Sequence, residues 1–242
     1  GSPLATVPKD HFSARFTKNI RLSEAKTYIV DASADDGVRV SVDGKVVIDG
    51  WNSGPKQKQA IIDLEPGDHA VQVEYYEILR GAYLKVNLKE IDQKTLDTAE
   101  VGYNWGYGGP SGLPTDNFKA TFNQTKSLTA GDYFVQTFAD DGVKVTANKG
   151  TASEKILVDR FTSFTNKVDQ TFWLGVPAGD HKITTDYLEL ANEAAVFSNV
   201  VPFGSWLAYY YDNTSLKGLP KKSKVIAPTG QFGKLSEDNG TG

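Results

Sequence analysis

The sequence predicts an all-β chain built from two tandem copies of one sandwich or barrel module. Three observations carry that prediction. The phrase Ala34-Asp35-Asp36-Gly37-Val38 returns as Ala139-Asp140-Asp141-Gly142-Val143. Each copy follows an apolar run (Tyr28, Ile29, Val30; Tyr133, Phe134, Val135) and opens an apolar–polar alternation, the period-2 pattern of a half-buried strand. Turn signals then recur at short intervals, with no sustained 3.6-residue period.

The elements of the first copy follow in order. Phe12 to Phe16 alternates, and Val38, Val40 and Val42 alternate with polar partners. Asp43-Gly44 between Val42 and Val46 is a two-residue hairpin signal, and it leads to Val47-Ile48-Asp49. Pro66-Gly67 marks a turn before Val71, Val73 and Tyr75, and a last strand carries Leu84, Val86 and Leu88. The polar stretch Lys89 to Glu100 reads as a linker or a short helical turn.

The second copy keeps this order. Phe118-Lys119-Ala120-Thr121-Phe122 matches Phe12-Ser13-Ala14-Arg15-Phe16, and Leu157-Val158-Asp159 matches Val47-Ile48-Asp49. Ala178-Gly179-Asp180-His181 matches Pro66-Gly67-Asp68-His69, and Tyr187-Leu188-Glu189 matches Tyr75-Tyr76-Glu77. Only loop lengths differ, as in a tandem duplication. The expected organisation is a first module over 1–92, a second over 93–203, and a closing segment over 204–242.

Composition bounds the function. With 242 residues, 39% hydrophobic and 11% aromatic, the chain can bury two cores. A net charge of -4 with interspersed signs leaves no footprint for nucleic acid. The absence of cysteine excludes disulfides, thiolate metal sites and cysteine nucleophiles. No apolar run reaches the ~20 residues of a membrane span, so no membrane insertion is expected in this segment. No signal peptide is visible, and a Gly-Ser start without methionine reads as a piece of a longer chain.

In these words the sequence resembles the PA14 module of bacterial surface proteins, glycosidases and flocculin-type adhesins. The resemblance rests on Asp10 to Phe16, on Asp35 to Trp51, and on Gly67-Asp68-His69 leading to Tyr75-Tyr76-Glu77 and Ala82-Tyr83-Leu84. The second copy keeps the frame more loosely, opening with Tyr103-Asn104-Trp105-Gly106. Such modules usually begin with a tyrosine-rich phrase that the first copy lacks. That phrase stands instead at the far end, as Trp206 to Asp212 followed by Leu216 to Pro220. Residues 204–242 are therefore expected to fold back and complete the first module, as in a circular permutation. The alternative is the truncated head of a third module. Exchange of this tail between chains would make a dimer of what is otherwise a monomer.

Candidate site residues begin with Asp35, Asp36, Asp140 and Asp141, because adjacent carboxylates resist burial unless neutralised. In flocculin-like members the matching pair, joined by a cis peptide, holds a calcium ion that grips sugar hydroxyls. The resemblance thus implies calcium as a cofactor at one or both pairs, against a bland reading as a capping turn. Trp51 with Asn52 offers a ring to stack on a sugar and an amide to bond its hydroxyls; the alternative is a packed strand end. The glycine-rich loop 102–112 around Trp105 and Tyr107 lacks the features of a phosphate cradle. His69 and His181 sit at equivalent turns and, with the solitary His11, read as structural. Adjacent aspartates do not give the spacing of glycosidase carboxylates. The expectation is a non-catalytic, extracellular or cell-surface module that binds a polysaccharide or cell-surface glycan. Its parent would be a bacterial adhesin, secreted protein or sensor. The runner-up is a structural spacer or protein-interaction module without a sugar site.

Overall fold

A computed structural model describes residues 3–52, 57–162, 167–228 and 234–235. The chain forms two compact units, Gly1–Ile91 and Asp92–Gly242. All regular elements among the described residues are strands, so no helix is long and apolar enough to cross a membrane.

The first unit contains β1 (Phe12–Leu22), β2 (Lys26–Asp35), β3 (Gly37–Val42), β4 (Lys45–Gly50), β5 (Lys58–Leu64), β6 (Gly67–Glu77) and β7 (Tyr83–Glu90). They make two sheets, ordered β1-β6-β3-β4 and β5-β2-β7. Val30, Ala32, Val38, Val40, Ile48 and Tyr75 fill the space between them. The alternation works as predicted: Val38, Val40 and Val42 are buried, while Arg39 faces outward and pairs laterally with Glu74 and Asp49. Asp43 and Gly44 take φ of 51° and 77°, the left-handed pair that a tight hairpin between twisted strands needs.

The second unit contains β8 (Asp92–Asp97), β9 (Val101–Gly106), β10 (Phe118–Leu128), β11 (Gly131–Asp140), β12 (Gly142–Ala147), β13 (Lys155–Arg160), β14 (Lys167–Val176), β15 (Gly179–Glu189) and β16 (Ala194–Pro202), followed by β17 (Trp206–Tyr210) and β18 (Lys222–Ile226). Its sheets run β13-β12-β15-β10-β8 and β14-β11-β16-β9. Aromatic residues dominate its core, with Phe118, Phe122 and Tyr187 fully buried beside Val143 and Val145.

Two expectations are corrected here. The stretch 89–100 is neither linker nor helical turn: β8 pairs in parallel with β10, from Asp92↔Phe118 to Asp97↔Asn123, and Leu96 packs on the core. The backbone ladder to β10 and the packing of Leu96 outweighed the polar composition.

The closing segment does not sit where the circular-permutation reading put it. β17 and β18 form a hairpin belonging to the second unit, where Tyr209 packs against Phe138 and Phe197 and Leu219 is buried beside them. Asn104 Nδ2 donates to the Pro220 carbonyl at 2.8 Å and Ser223 Oγ to Asn199 Oδ1 at 3.1 Å. The reason lies in the outer face of each sheet. Phe138 pairs with Phe197 on the second unit, and the corresponding pair on the first is Ser33 with Lys85. Only the former gives Trp206 to Tyr210 an apolar surface to cover.

Candidate functional site

In both units the Asp-Asp-Gly phrase forms the corner at which the chain crosses from one sheet to the other. Asp35 ends β2 and Gly37 begins β3; Asp140 ends β11 and Gly142 begins β12. The glycine is required by close approach. A Cβ on Gly37 would lie 2.1 Å from the Tyr76 ring and 2.8 Å from the Trp51 carbonyl oxygen, and one on Gly142 would lie 2.2 Å from the Phe161 carbonyl oxygen. Trp51 is thereby held against the first corner and Phe161 against the second.

A tyrosine anchors each corner from beneath. Tyr75 donates to the Asp35 carbonyl at 2.6 Å, and its oxygen lies 3.0 Å from Glu77 Oε2. Tyr187 repeats this with the Asp140 carbonyl and Glu189. The second aspartate caps the backbone: Asp36 Oδ2 accepts from Ile78 N at 2.7 Å, and Asp141 Oδ2 from Leu190 N at 2.8 Å. The Asp35–Asp36 peptide is cis.

Electrostatics separate the corners. In the second, burial pushes Asp140 up to about 6, helped by the charges of Asp141 and Glu193. Burial also pushes Glu189 up to about 8. A hydrogen count agrees. The Tyr187 hydroxyl has one hydrogen for two neighbouring acceptors, so a protonated Glu189 supplies the second. Arg160, 6% exposed, donates to the carbonyls of Ala139 and Asp141 and from Nε to Asp169 Oδ2 at 2.6 Å. The first unit has Gly50 at that place, paired with Val38 as Arg160 is with Val143.

A guanidinium bonded to its main-chain oxygens makes the second corner a poor host for another cation. The first corner presents two neighbouring carboxylates without that arginine. Among the described residues no three or more His, Cys, Asp or Glu side chains group to hold a metal ion. Calcium at Asp35 and Asp36 would therefore draw most of its 6–8 ligands from main-chain oxygens and water.

Beside the first corner lies an open groove of 460 Å³ lined by Ser13, Ala14, Arg15, Arg39, Trp51 and Glu74. Trp51 meets Tyr76 edge-to-face at 4.8 Å, and the Arg39 guanidinium lies 5.1 Å from the Trp51 ring. Glu74 accepts from Arg15 Nη2 at 2.7 Å and from Arg39 Nη1 at 3.5 Å. Arg39 Nε is buried without a hydrogen-bond partner, 3.7 Å from Asp49 Oδ1. Asn52, the other expected sugar contact, is exposed next to Trp51. The structure thus brings Asp35, Asp36, Trp51 and Asn52 to one end of the first unit, while Asp140 and Asp141 form a separate corner.

The duplicated unit shows why this groove is open. Lys119 stands where the first unit has Ser13, and its ammonium covers the Phe161 ring at 5.2 Å. Phe161 is 6% exposed, whereas Trp51 is half-buried. Arg39, Arg15 and Glu74 escaped the sequence reading, although Arg39 between Val38 and Val40 had to face outward and the Ser13–Lys119 exchange was visible in the repeat. Trp105 stacks with Tyr103 and Phe122, and both His69 and His181 bond backbone carbonyls.

A sandwich whose sheets meet at an Asp-Asp-Gly corner has relatives. Residues 1–102 match the PA14 domain family, and this stretch is a PA14 domain. The chain is also similar to the anti-sigma-I factor RsgI3 of Acetivibrio thermocellus, 35% identical over 88 residues. That match covers 36% of this chain and 14% of the relative. Among solved structures, an anti-sigma factor domain-containing protein from Clostridium clariflavum shares 20% identity over 84% of each chain, with a TM-score of 0.40. The apo lectin of Pleurotus ostreatus shares 11% identity over 93% of this chain and 88% of that one, with a TM-score of 0.28. Structural likeness this slight carries no weight for function.

Proposed function

We propose that the chain is a non-catalytic carbohydrate-binding segment of a longer extracellular or surface protein, and that the first unit presents the binding site. The observation that supports this is the open groove in which Trp51, Arg39, Arg15 and Glu74 stand beside the Asp35–Asp36 corner. An aromatic ring offers a sugar its apolar face. Two arginines and a carboxylate offer hydrogen bonds to hydroxyls. Similarity to a protein named as an anti-sigma-I factor favours a sensing role over an adhesive one for the parent. Calcium belongs to this proposal at Asp35 and Asp36 only, where it would supply a Lewis-acidic contact for sugar hydroxyls. Asp140 and Asp141 are assigned a structural role.

Native-gel retardation on a panel of plant and cell-wall polysaccharides tests the reading. Trp51→Ala and Arg39→Ala are expected to weaken retention at least tenfold, and Lys119→Ala to leave it unchanged. Retention indifferent to Trp51 and Arg39 would move the site elsewhere. Calcium is tested separately by melting temperature, because a ligand of the native state alone must raise it. A rise that vanishes in Asp36→Ala and persists in Asp141→Ala is expected; no rise in the wild type removes calcium and leaves the groove standing.

A further inference from the structure

A second cleft lies in the second unit, where the closing hairpin meets the sheet edge at β9. It measures 680 Å³, within the range of small-ligand sites. Four lysines line it, Lys126, Lys221, Lys222 and Lys224, against one carboxylate, Glu100. This concentration of positive charge stands out in a chain of net charge -4. Lys221 is partly neutralised by Asp212 at 3.3 Å, and Lys126 Nζ also donates to the Ala99 carbonyl at 3.0 Å. Lys222 and Lys224 are exposed and, two apart on β18, share one face of that strand.

The cleft also holds hydroxyls suited to an oxygen-rich ligand. Ser198, 4% exposed, contributes an Oγ with no hydrogen-bond partner in the chain. Ser223 lines the same cleft and fixes β18 to the sheet through Asn199. No aromatic residue is part of the lining, so the stacking platform that single-stranded nucleic acids use is missing from it.

We infer that this cleft is a second saccharide site, selective for carboxylate-bearing sugars such as the uronates of acidic polysaccharides. Its ligand class rests on the carbohydrate reading above; its location does not. The lysines supply ammonium groups to sugar carboxylates, and Ser198 supplies a buried donor to a hydroxyl. The site exists because the hairpin packs on the second unit and carries Lys221-Lys222-Ser223-Lys224 to the sheet edge.

Affinity electrophoresis in gels containing polygalacturonate or a neutral galactan tests the inference, with each mobility divided by that in polymer-free gel. The wild type is expected to be retarded by polygalacturonate, less so as salt rises. Lys222→Glu/Lys224→Glu is expected to abolish that retardation while leaving the melting temperature unchanged. Lys18→Glu/Lys45→Glu, with the same change of net charge on exposed lysines of the first unit, is expected to keep it. Retardation surviving Lys222→Glu/Lys224→Glu, or lost equally in the control pair, overturns the site. Equal retention by duplex DNA overturns selectivity for sugar. Binding of galactan alone overturns the acidic site and spares the carbohydrate reading, whereas no retention by any polysaccharide ends both.

Discussion

The two Asp-Asp-Gly corners use the same phrase under opposite conditions. The second is packed from every side: Arg160 ties two of its carbonyls, Phe161 is buried against Gly142, and Lys119 caps Phe161. The first replaces Arg160 with Gly50 and Lys119 with Ser13, and there Trp51 stays half-exposed above a groove. Both units thus have the same corner, and side-chain size sets which of them stays open. A repeated motif marks repeated architecture, and the residues that differ around it set the two corners apart.

The sharpest way to break this comparison is Arg160→Leu. It removes the guanidinium that pairs with Asp169 and bonds the Ala139 and Asp141 carbonyls, and should destabilise the second unit by about 3–5 kcal/mol in denaturant unfolding. A loss below about 1 kcal/mol would mean that the arginine does not lock the corner.

The next effect is pH dependence. Glu189 is held up to about 8 from 4.5 in the folded chain, so the native state binds the extra proton between those values. Stability is therefore fully present below about 4.5 and falls as pH rises through 8, on the order of 3 kcal/mol at about 1.4 kcal/mol per pKa unit with allowance for relaxation. Asp140, held at about 6, adds a fall of the same sign at lower pH. Glu189→Gln should flatten the upper part of the profile of the second unit's transition; an unchanged slope would place the proton elsewhere.

Gly142→Ala and Gly37→Ala come third. Each Cβ meets atoms closer than 3 Å, and overpacking of this kind costs about 1–3 kcal/mol. Gly142→Ala should cost more, because its obstacle is the Phe161 backbone, whereas much of the obstacle at Gly37 is the Tyr76 ring. The reverse order in thermal melts would deny that the second corner is the more rigid.

The smallest effect separates the two histidines. His69 Nδ1 lies 2.7 Å from Asp43 Oδ2, which raises its pKa, while His181 faces the amide of Asn148 at 3.2 Å. In an NMR titration Asp43→Asn should lower the His69 pKa. The wild-type pair stabilises below His69's unfolded pKa of about 6.5, and that gain disappears as pH rises through the elevated folded value. No shift on substitution would show that the pair does not form in solution.

Much of the architecture was legible because it is local. Period-2 alternation placed Val38, Val40 and Val42 inward, and Asp43-Gly44 dictated its hairpin through backbone sterics alone. The repeat marked both corners, and Asp35, Asp36, Trp51 and Asn52 do gather at one end of the first unit. β8 was misread because its pairing partner, β10, lies some 26 residues away. Arg39, Arg15 and Glu74 were missed because they meet only through the lateral register of β1, β6 and β3.

The sequence by itself determined the duplicated sandwich, its turns and its two acidic corners, since periodicity and glycine sterics act between near neighbours. Only the tertiary structure decided that the closing hairpin covers Phe138 and Phe197, that Arg160 closes one corner, and that Ser13 leaves a groove at the other. Those outcomes depend on which side chains face each other across a sheet. That geometry is set by register and packing between residues far apart in the chain, and no short stretch of sequence contains it.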